Sequence, residues 1–357
     1  MITNINIYGF KSFISKDISL AKLTLLAGLN SSGKSTVIQA LRMYHQAYLG
    51  ASPLLAGHGH VNELRSKFVG PKEKIRISLE FAHQANSSLQ LGEQDIQRPD
   101  FGAEIIYIGA DRLGPQPNLP TEQAFNVSPH VGSKGEYVLD FISRLSEQNY
   151  ILPDGLLHPD SKSKAFSQVL QDWLSEITPG VKFSYQRNTQ ADISHAEIDS
   201  HRPTNVGFGL SYTLPIIAAA LGSVAKPLSP EGNAAWVETW EANKASKGML
   251  VMVENPEAHL HPKGQTAMGK LLALCAQQGA QVVVETHSEH VMDGIRIAIK
   301  QGQIAAAGVK FHYFTKDEQG KTELTSPAID ENAKLDSWPE GFFDQTLKNR
   351  ALLAKRN

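Results

Sequence analysis

The sequence predicts an α/β protein: a buried sheet covered by helices. Three short apolar runs carry that prediction. Residues 23–27 (LTLLA) run into Gly28, residues 249–253 (MLVMV) into Glu254, and residues 282–284 (VVV) into Glu285, Thr286 and His287. Runs that are apolar on both faces and bounded by polar turn residues read as central strands. Ligands of open α/β sheets sit beyond the carboxyl ends of such strands, so the three runs point at one site.

The remaining elements follow in order. Residues 74–82 (KIRISLEFA) alternate like a half-buried strand, and residues 104–108 predict another. Phe166, Val169, Leu170, Trp173, Leu174 and Ile177 keep helical spacing and form one apolar face, a helix packed on the core. Residues 310–326 read as a hairpin turning at Asp317-Glu-Gln-Gly320. Residues 111–128, rich in Pro and Asn, and residues 225–248, which carry Trp236 and Trp240, read as surface excursions.

The chain has 357 residues, 41% apolar and 20% charged, which suits a globular protein and excludes a disordered or fibrous one. Lys+Arg 34 against Asp+Glu 36 gives a net charge of −2, so bulk charge marks neither a nucleic-acid nor an acidic-membrane binder. A single cysteine, Cys275, forms no internal disulfide and fits a reducing compartment. The N-terminus has no signal-peptide pattern, and the longest nearly apolar stretch, residues 214–224, is too short to span a bilayer. A cytoplasmic protein without a membrane partner is expected.

Gly28-Leu-Asn-Ser-Ser-Gly33-Lys34-Ser35 matches G-x-x-x-x-G-K-[ST] in a strand–loop–helix context. The glycines allow a tight turn in which backbone N–H groups face phosphate oxygens, and the following helix adds its positive end. Gly28, Asn30, Ser31, Ser32, Gly33, Lys34, Ser35 and Thr36 are therefore nucleotide-binding candidates. Lys34 would reach the β- and γ-phosphates and the Ser35 hydroxyl would ligate magnesium. ATP and Mg2+ are the expected cofactors.

Such a loop needs a carboxylate at a neighbouring buried strand end, and Glu254 stands there. A buried strand seldom ends in Glu-Asn-Pro-Glu for packing alone, since an unpaired carboxylate is costly. The third run leads into Thr286-His287-Ser-Glu-His290, where His287 can sense a γ-phosphate. Glu285, His287 and His290, with His259 and His261, could instead bind a metal, although the spacing falls one residue short of H-x-x-E-H.

Together these residues resemble ABC-type ATPase heads of the SMC-like and overcoming-lysogenization-defect (OLD) kind. The opening Ile7-Tyr-Gly-Phe-Lys-Ser-Phe13 is similar to that of SMC-like heads, and Asn205-Val-Gly-Phe-Gly-Leu-Ser-Tyr-Thr-Leu-Pro215 resembles a degenerate ABC signature. Residues 253–262 (VENPEAHLHP) resemble a Walker B and D-loop, and residues 285–290 a switch-histidine loop; residues 107–115 (YIGADRLGP) are also typical. Residues 338–345 (WPEGFFDQ) look like the C-terminal domain of unknown function that marks a bacterial branch of AAA-labelled ATPases.

The resemblance implies a P-loop ABC-type ATPase head with a mixed β-sheet core, flanking helices and a helical insertion, and no long coiled coil. The organisation expected is an N-terminal ATPase lobe with the Walker A motif (1–110) and an inserted, mostly helical lobe (111–200). The signature, Walker B and switch-histidine part of the core follows (201–303), then a C-terminal hairpin and WPEGFFDQ tail (304–357). It also implies a nucleotide sandwich between two copies, with Gly207, Gly209 and Ser211 contacting the γ-phosphate across a homodimer. Lys34, Glu254, Glu257 and His287 are the implied catalytic residues, and Ser35 and Glu254 the implied metal-holding ones. A Gly-x-Gly before an apolar helix can present backbone donors to an anion, although an ordinary loop-to-helix junction reads the same way.

Departures matter. The usual Walker B ends in Asp-Glu, whereas here the pair is Glu254-Asn255, and an amide is a poor general base. Glu257 takes over, or turnover is slow. His261 replaces the usual D-loop Asp, and Gln84 is the candidate for the magnesium-sensing Gln. Lys34 and Ser211 lie 177 positions apart without sustained heptads, which excludes an SMC-type coiled-coil arm. The 70 residues after His287 are fewer than an OLD-type nuclease needs, so any cutting is expected from another chain.

The expected function is an ATP-hydrolysing, homodimeric switch that controls a partner effector, such as a nuclease encoded nearby, or DNA, in anti-phage defence or DNA maintenance. The alternative is a non-hydrolysing, ATP-held scaffold. A transporter subunit is disfavoured because LSGGQ is missing, and a small-molecule kinase would need neither the signature nor His287. In the tail, Lys348, Arg350, Lys355 and Arg356 read as a solvated helix end, with DNA contact as the other option. Trp338, Phe342 and Phe343 read as packing on the head, and Arg112 as a nucleotide or partner contact or a structural ion pair.

Overall fold

A computed structural model describes residues 1–122, 128–159, 161–188, 190–205, 209–229 and 233–354. The chain forms two compact units. The first comprises Met1–Ala103, His287–Glu289 and Ala306–Asn357, and the second Glu104–Thr286 and His290–Ala305.

In the first unit, five antiparallel strands run in the order Phe13–Ser19, Ile2–Phe10, Ile75–Phe81, Ser87–Leu91, Ile96–Gln97. Ile75–Phe81 is the strand expected from alternation, burying Ile75, Ile77, Leu79 and Phe81. The helix Lys34–Tyr48 packs on this sheet through Val37, Ile38, Leu41 and Tyr44. The same unit holds Leu23–Gly28, paired in parallel with Val309–Lys316, which turns back to pair antiparallel with Thr322–Thr325. The hairpin expected over 310–326 is therefore present. Asp317 makes its turn, its carboxylate accepting from the backbone N–H groups of Gln319 and Lys321.

In the second unit, Met249–Glu254 lies between Glu104–Ile108 and Gln281–Glu285, all parallel. Being central and covered on both faces, Met249 to Val253 are buried without alternation. The helices Gly209–Val224 and Pro262–Gln277 pack on these strands, and the first is apolar all round. Phe166–Ile177 is the helix its stripe predicts, with all six stripe residues buried.

The surface excursion expected over 225–248 is corrected. Ala235–Lys247 is a helix whose Trp236 and Trp240, one turn apart, are 4% and 3% exposed and pack on Tyr150. Two buried rings outweigh the polar composition of the rest. The excursion over 111–128 contains a buried residue, Arg112, and residues 123–127 lie outside the described ones.

The longest described helices have 16 residues, so no coiled-coil arm is present among the described residues. No described helix is long and apolar enough to cross a membrane. The expected α/β head with a mixed sheet and flanking helices is the fold observed.

Candidate nucleotide site

The phosphate loop lies in the first unit. At Gly28 (φ 145°) a Cβ would stand 2.2 Å from the Phe314 carbonyl oxygen, and at Gly33 (φ 120°) 2.7 Å from Thr322 Oγ1. Both positions combine a left-handed backbone with a close neighbour, so glycine is required at each. Lys34 is 3% exposed, and its ammonium folds back over the loop to donate to the carbonyls of Gly28 (3.0 Å) and Leu29 (2.9 Å). That grip keeps the loop curled before any ligand arrives.

A cleft of about 430 Å³ opens at the loop, lined by residues 31–36 together with Lys11, Ser12, Gln39 and Lys316. The last four were not read as site residues in the sequence. Lys11 and Ser12 belong to the GFKSF opening, which offered a signal, whereas Gln39 and Lys316 had none. Lys11 donates to the Gln39 side chain, and burial pulls its pKa down. Gln84 is exposed and does not line the cleft.

The residues fit a magnesium-bound triphosphate. The Ser32 hydroxyl is buried in the cleft wall without a hydrogen-bond partner, as expected of a donor reserved for a phosphate oxygen. The helix N-terminus at Lys34 and three lysines on the lining supply positive potential.

The acidic strand end lies in the second unit. The Tyr107 hydroxyl donates to Glu254 Oε1 (3.0 Å), which aims that carboxylate. Asn255 takes a left-handed backbone (φ 46°), and its N–H donates to the Glu285 carbonyl (2.8 Å), continuing the parallel pairing by one bond while the chain turns. Glu257 Oε2 accepts from Thr286 Oγ1 (2.7 Å), so this carboxylate is tied to the end of the adjacent strand.

Arg112 decides the shape of this corner. It is 3% exposed, and its guanidinium donates to the carbonyls of Gly109, Glu254 and Asn255, each at 2.7 Å. Its Cζ lies 5.4 Å from the centre of the Tyr212 ring, which meets His259 edge to face at 4.5 Å. Burial pulls the Arg112 pKa down, and Glu257, Tyr212 and Glu254 oppose that pull. Arg112 thus clamps the backbone of the acidic strand end, a contact that residue identity alone does not show.

His261 caps the helix Pro262–Gln277, its Nδ1 accepting from the Lys263 N–H (3.4 Å), and so performs the N-cap task that an Asp would serve. His287 is exposed, flanked by buried Thr286 and Ser288. Gly209 opens its helix, and Ser211 sits half-buried in the first turn; Gly207 lies outside the described residues. Among the described residues no three His, Cys, Asp or Glu side chains converge as a metal-binding group, so the histidine-rich metal alternative finds no ligand set.

Residues 143–292 match the family described as AAA ATPase domain, and residues 304–353 a family described as protein of unknown function (DUF3696). No curated protein sequence matches the chain. Among solved structures the chain is similar to the SmcHead bound to the C-winged helix domain of ScpA, at 12% identity and TM-score 0.52, over 92% of this chain and 98% of that one. It is also similar to the Smc head domain with an extended coiled coil bound to the C-terminal domain of ScpA derived from Pyrococcus furiosus. That match has 12% identity and TM-score 0.51, over 99% of both chains. At such identity the likeness is one of fold. The chain thus has a fold similar to that of SMC heads, and residues 143–292 match the AAA ATPase domain family.

Proposed function

We propose that the protein binds ATP with magnesium, hydrolyses it, and works as a nucleotide-gated homodimeric switch controlling a partner effector or DNA, in anti-phage defence or DNA maintenance. The observation that carries this reading is the preformed phosphate loop: two obligate glycines, a lysine folded across the loop, and the Ser32 hydroxyl in reserve.

In this reading the loop N–H groups and Lys34 hold the triphosphate, and Ser35 and Glu254 hold the metal. Magnesium neutralises charge on the phosphates. The Tyr107 hydroxyl aims the Glu254 carboxylate, and Glu257 takes the proton of the attacking water, a task the Asn255 amide cannot perform. His287, exposed at its strand end, donates to the γ-phosphate, and Gly207, Gly209 and Ser211 close the site from the second copy. Asn255 favours one rival, an ATP-held scaffold without turnover.

ATP turnover and solution mass, measured on wild type, Lys34→Ala, Glu254→Gln and Glu257→Gln, separate the two. The switch requires wild-type turnover, loss of binding in Lys34→Ala, and a nucleotide-bound dimer trapped by Glu257→Gln. Wild type that binds ATP and dimerises without releasing phosphate establishes the scaffold instead.

A further inference from the structure

The C-terminal segment, whose family carries no assigned role, is built into the phosphate loop. Its strand Val309–Lys316 pairs with Leu23–Gly28, placing Phe314 opposite Gly28. Thr322, at the start of the returning strand, is 1% exposed. Its Oγ1 donates to the Ser32 carbonyl (2.8 Å) and lies 2.7 Å from Ser12 Oγ. A hydroxyl has one proton, so Ser12 must donate to Thr322, which donates to Ser32. The Thr322 N–H also donates to the Ser12 carbonyl (3.1 Å). One buried side chain thus holds Ser32, a residue of the cleft wall.

The same segment continues outward. Tyr313, next to Phe314, packs on Phe342 (5.4 Å between rings), which is fully buried three residues before the helix Gln345–Ala354. Thr346 in that helix donates to Glu289 Oε1 (2.8 Å), two residues beyond His287. Leu352 and Leu353 at its far end are 64% and 86% exposed.

We propose that the C-terminal segment is the output element of the nucleotide switch, with Thr322 as the positioning residue that couples the phosphate loop to the helix Gln345–Ala354. This rests on the ATP-binding reading above. Binding that fixes the Ser32 peptide tightens the Thr322 contact and the hairpin behind it. By linkage, whatever holds the helix changes ATP affinity by the same factor.

The test is ATP affinity and backbone hydrogen exchange, with and without the non-hydrolysable β,γ-imido analogue, on wild type, Thr322→Val, Thr322→Ser, Ser12→Ala and Lys34→Ala. Thr322→Val, which removes both the bond to the Ser32 carbonyl and the one received from Ser12, should raise the Kd for ATP about tenfold. Thr322→Ser should restore it, and Ser12→Ala should fall between. The analogue should slow exchange across 309–325 and 345–354 in wild type and in Thr322→Ser, but leave 345–354 unchanged in Thr322→Val. Wild-type affinity in a folded Thr322→Val overturns the proposal, as does protection of 345–354 that persists in that variant. Should Thr322→Val not fold, Ser12→Ala with wild-type affinity and wild-type protection overturns it equally. If wild type itself does not bind ATP, the functional reading fails. If wild type binds, Lys34→Ala does not, and Thr322→Val behaves as wild type, only this inference fails.

Discussion

Arg112 shows how much one side chain decides in the acidic corner. Three carbonyls converge on its guanidinium, two of them at the strand end that presents Glu254. A lysine keeps the charge but, with its donors on one nitrogen, cannot reproduce the planar fork that reaches these carbonyls from two. Arg112→Lys should lower kcat by about tenfold or more while leaving the Kd for ATP within about twofold, since the phosphate loop is untouched. Steady-state turnover beside equilibrium nucleotide binding checks this, and equal loss in both would show a general collapse. Arg112→Ala leaves the three carbonyls without their donor and should cost roughly 3 kcal/mol of stability. The residue was visible in the sequence as part of ADRLGP, but its role was not, because backbone acceptors leave no trace in residue identity.

Among elements, the helices Pro262–Gln277 and Glu289–Lys300 pack through reciprocal glycines. A Cβ at Gly269 would stand 2.1 Å from the Val291 carbonyl oxygen, and one at Gly294 2.1 Å from that of Thr266. These neighbours are backbone, so the helices must separate to admit a methyl group. Gly294→Ala should cost about 1–3 kcal/mol, read as a lower urea midpoint with an unchanged slope. Neither contact is legible in sequence, where a helical glycine reads only as a weak position. The helix Ala235–Lys247 was missed for a related reason: its buried face is only Trp236, Val237 and Trp240, too few to register as a periodic stripe. The phosphate-loop strand and the strand ending at Glu254 were legible because burial on both faces demands unbroken apolar runs.

For the whole molecule, ligand binding and stability are linked. ATP at about a hundredfold excess over its Kd should stabilise the protein by about 2.7 kcal/mol and raise its thermal midpoint by several degrees. The rise should vanish in Lys34→Ala; its survival there would place the nucleotide elsewhere. Sequence alone determined the α/β class, the phosphate loop, the acidic strand end and, among the described residues, the absence of a long coiled-coil arm. Each is written in contiguous residues, as an apolar run, a fixed spacing or a missing heptad. Tertiary structure decided the rest: that Lys11, Ser12, Gln39 and Lys316 border the cleft, that Arg112 clamps the strand end, and that Thr322 braces Ser32 from 290 residues away. Those contacts join residues distant along the chain through backbone atoms or a single hydroxyl, and only folding brings such groups within bonding distance.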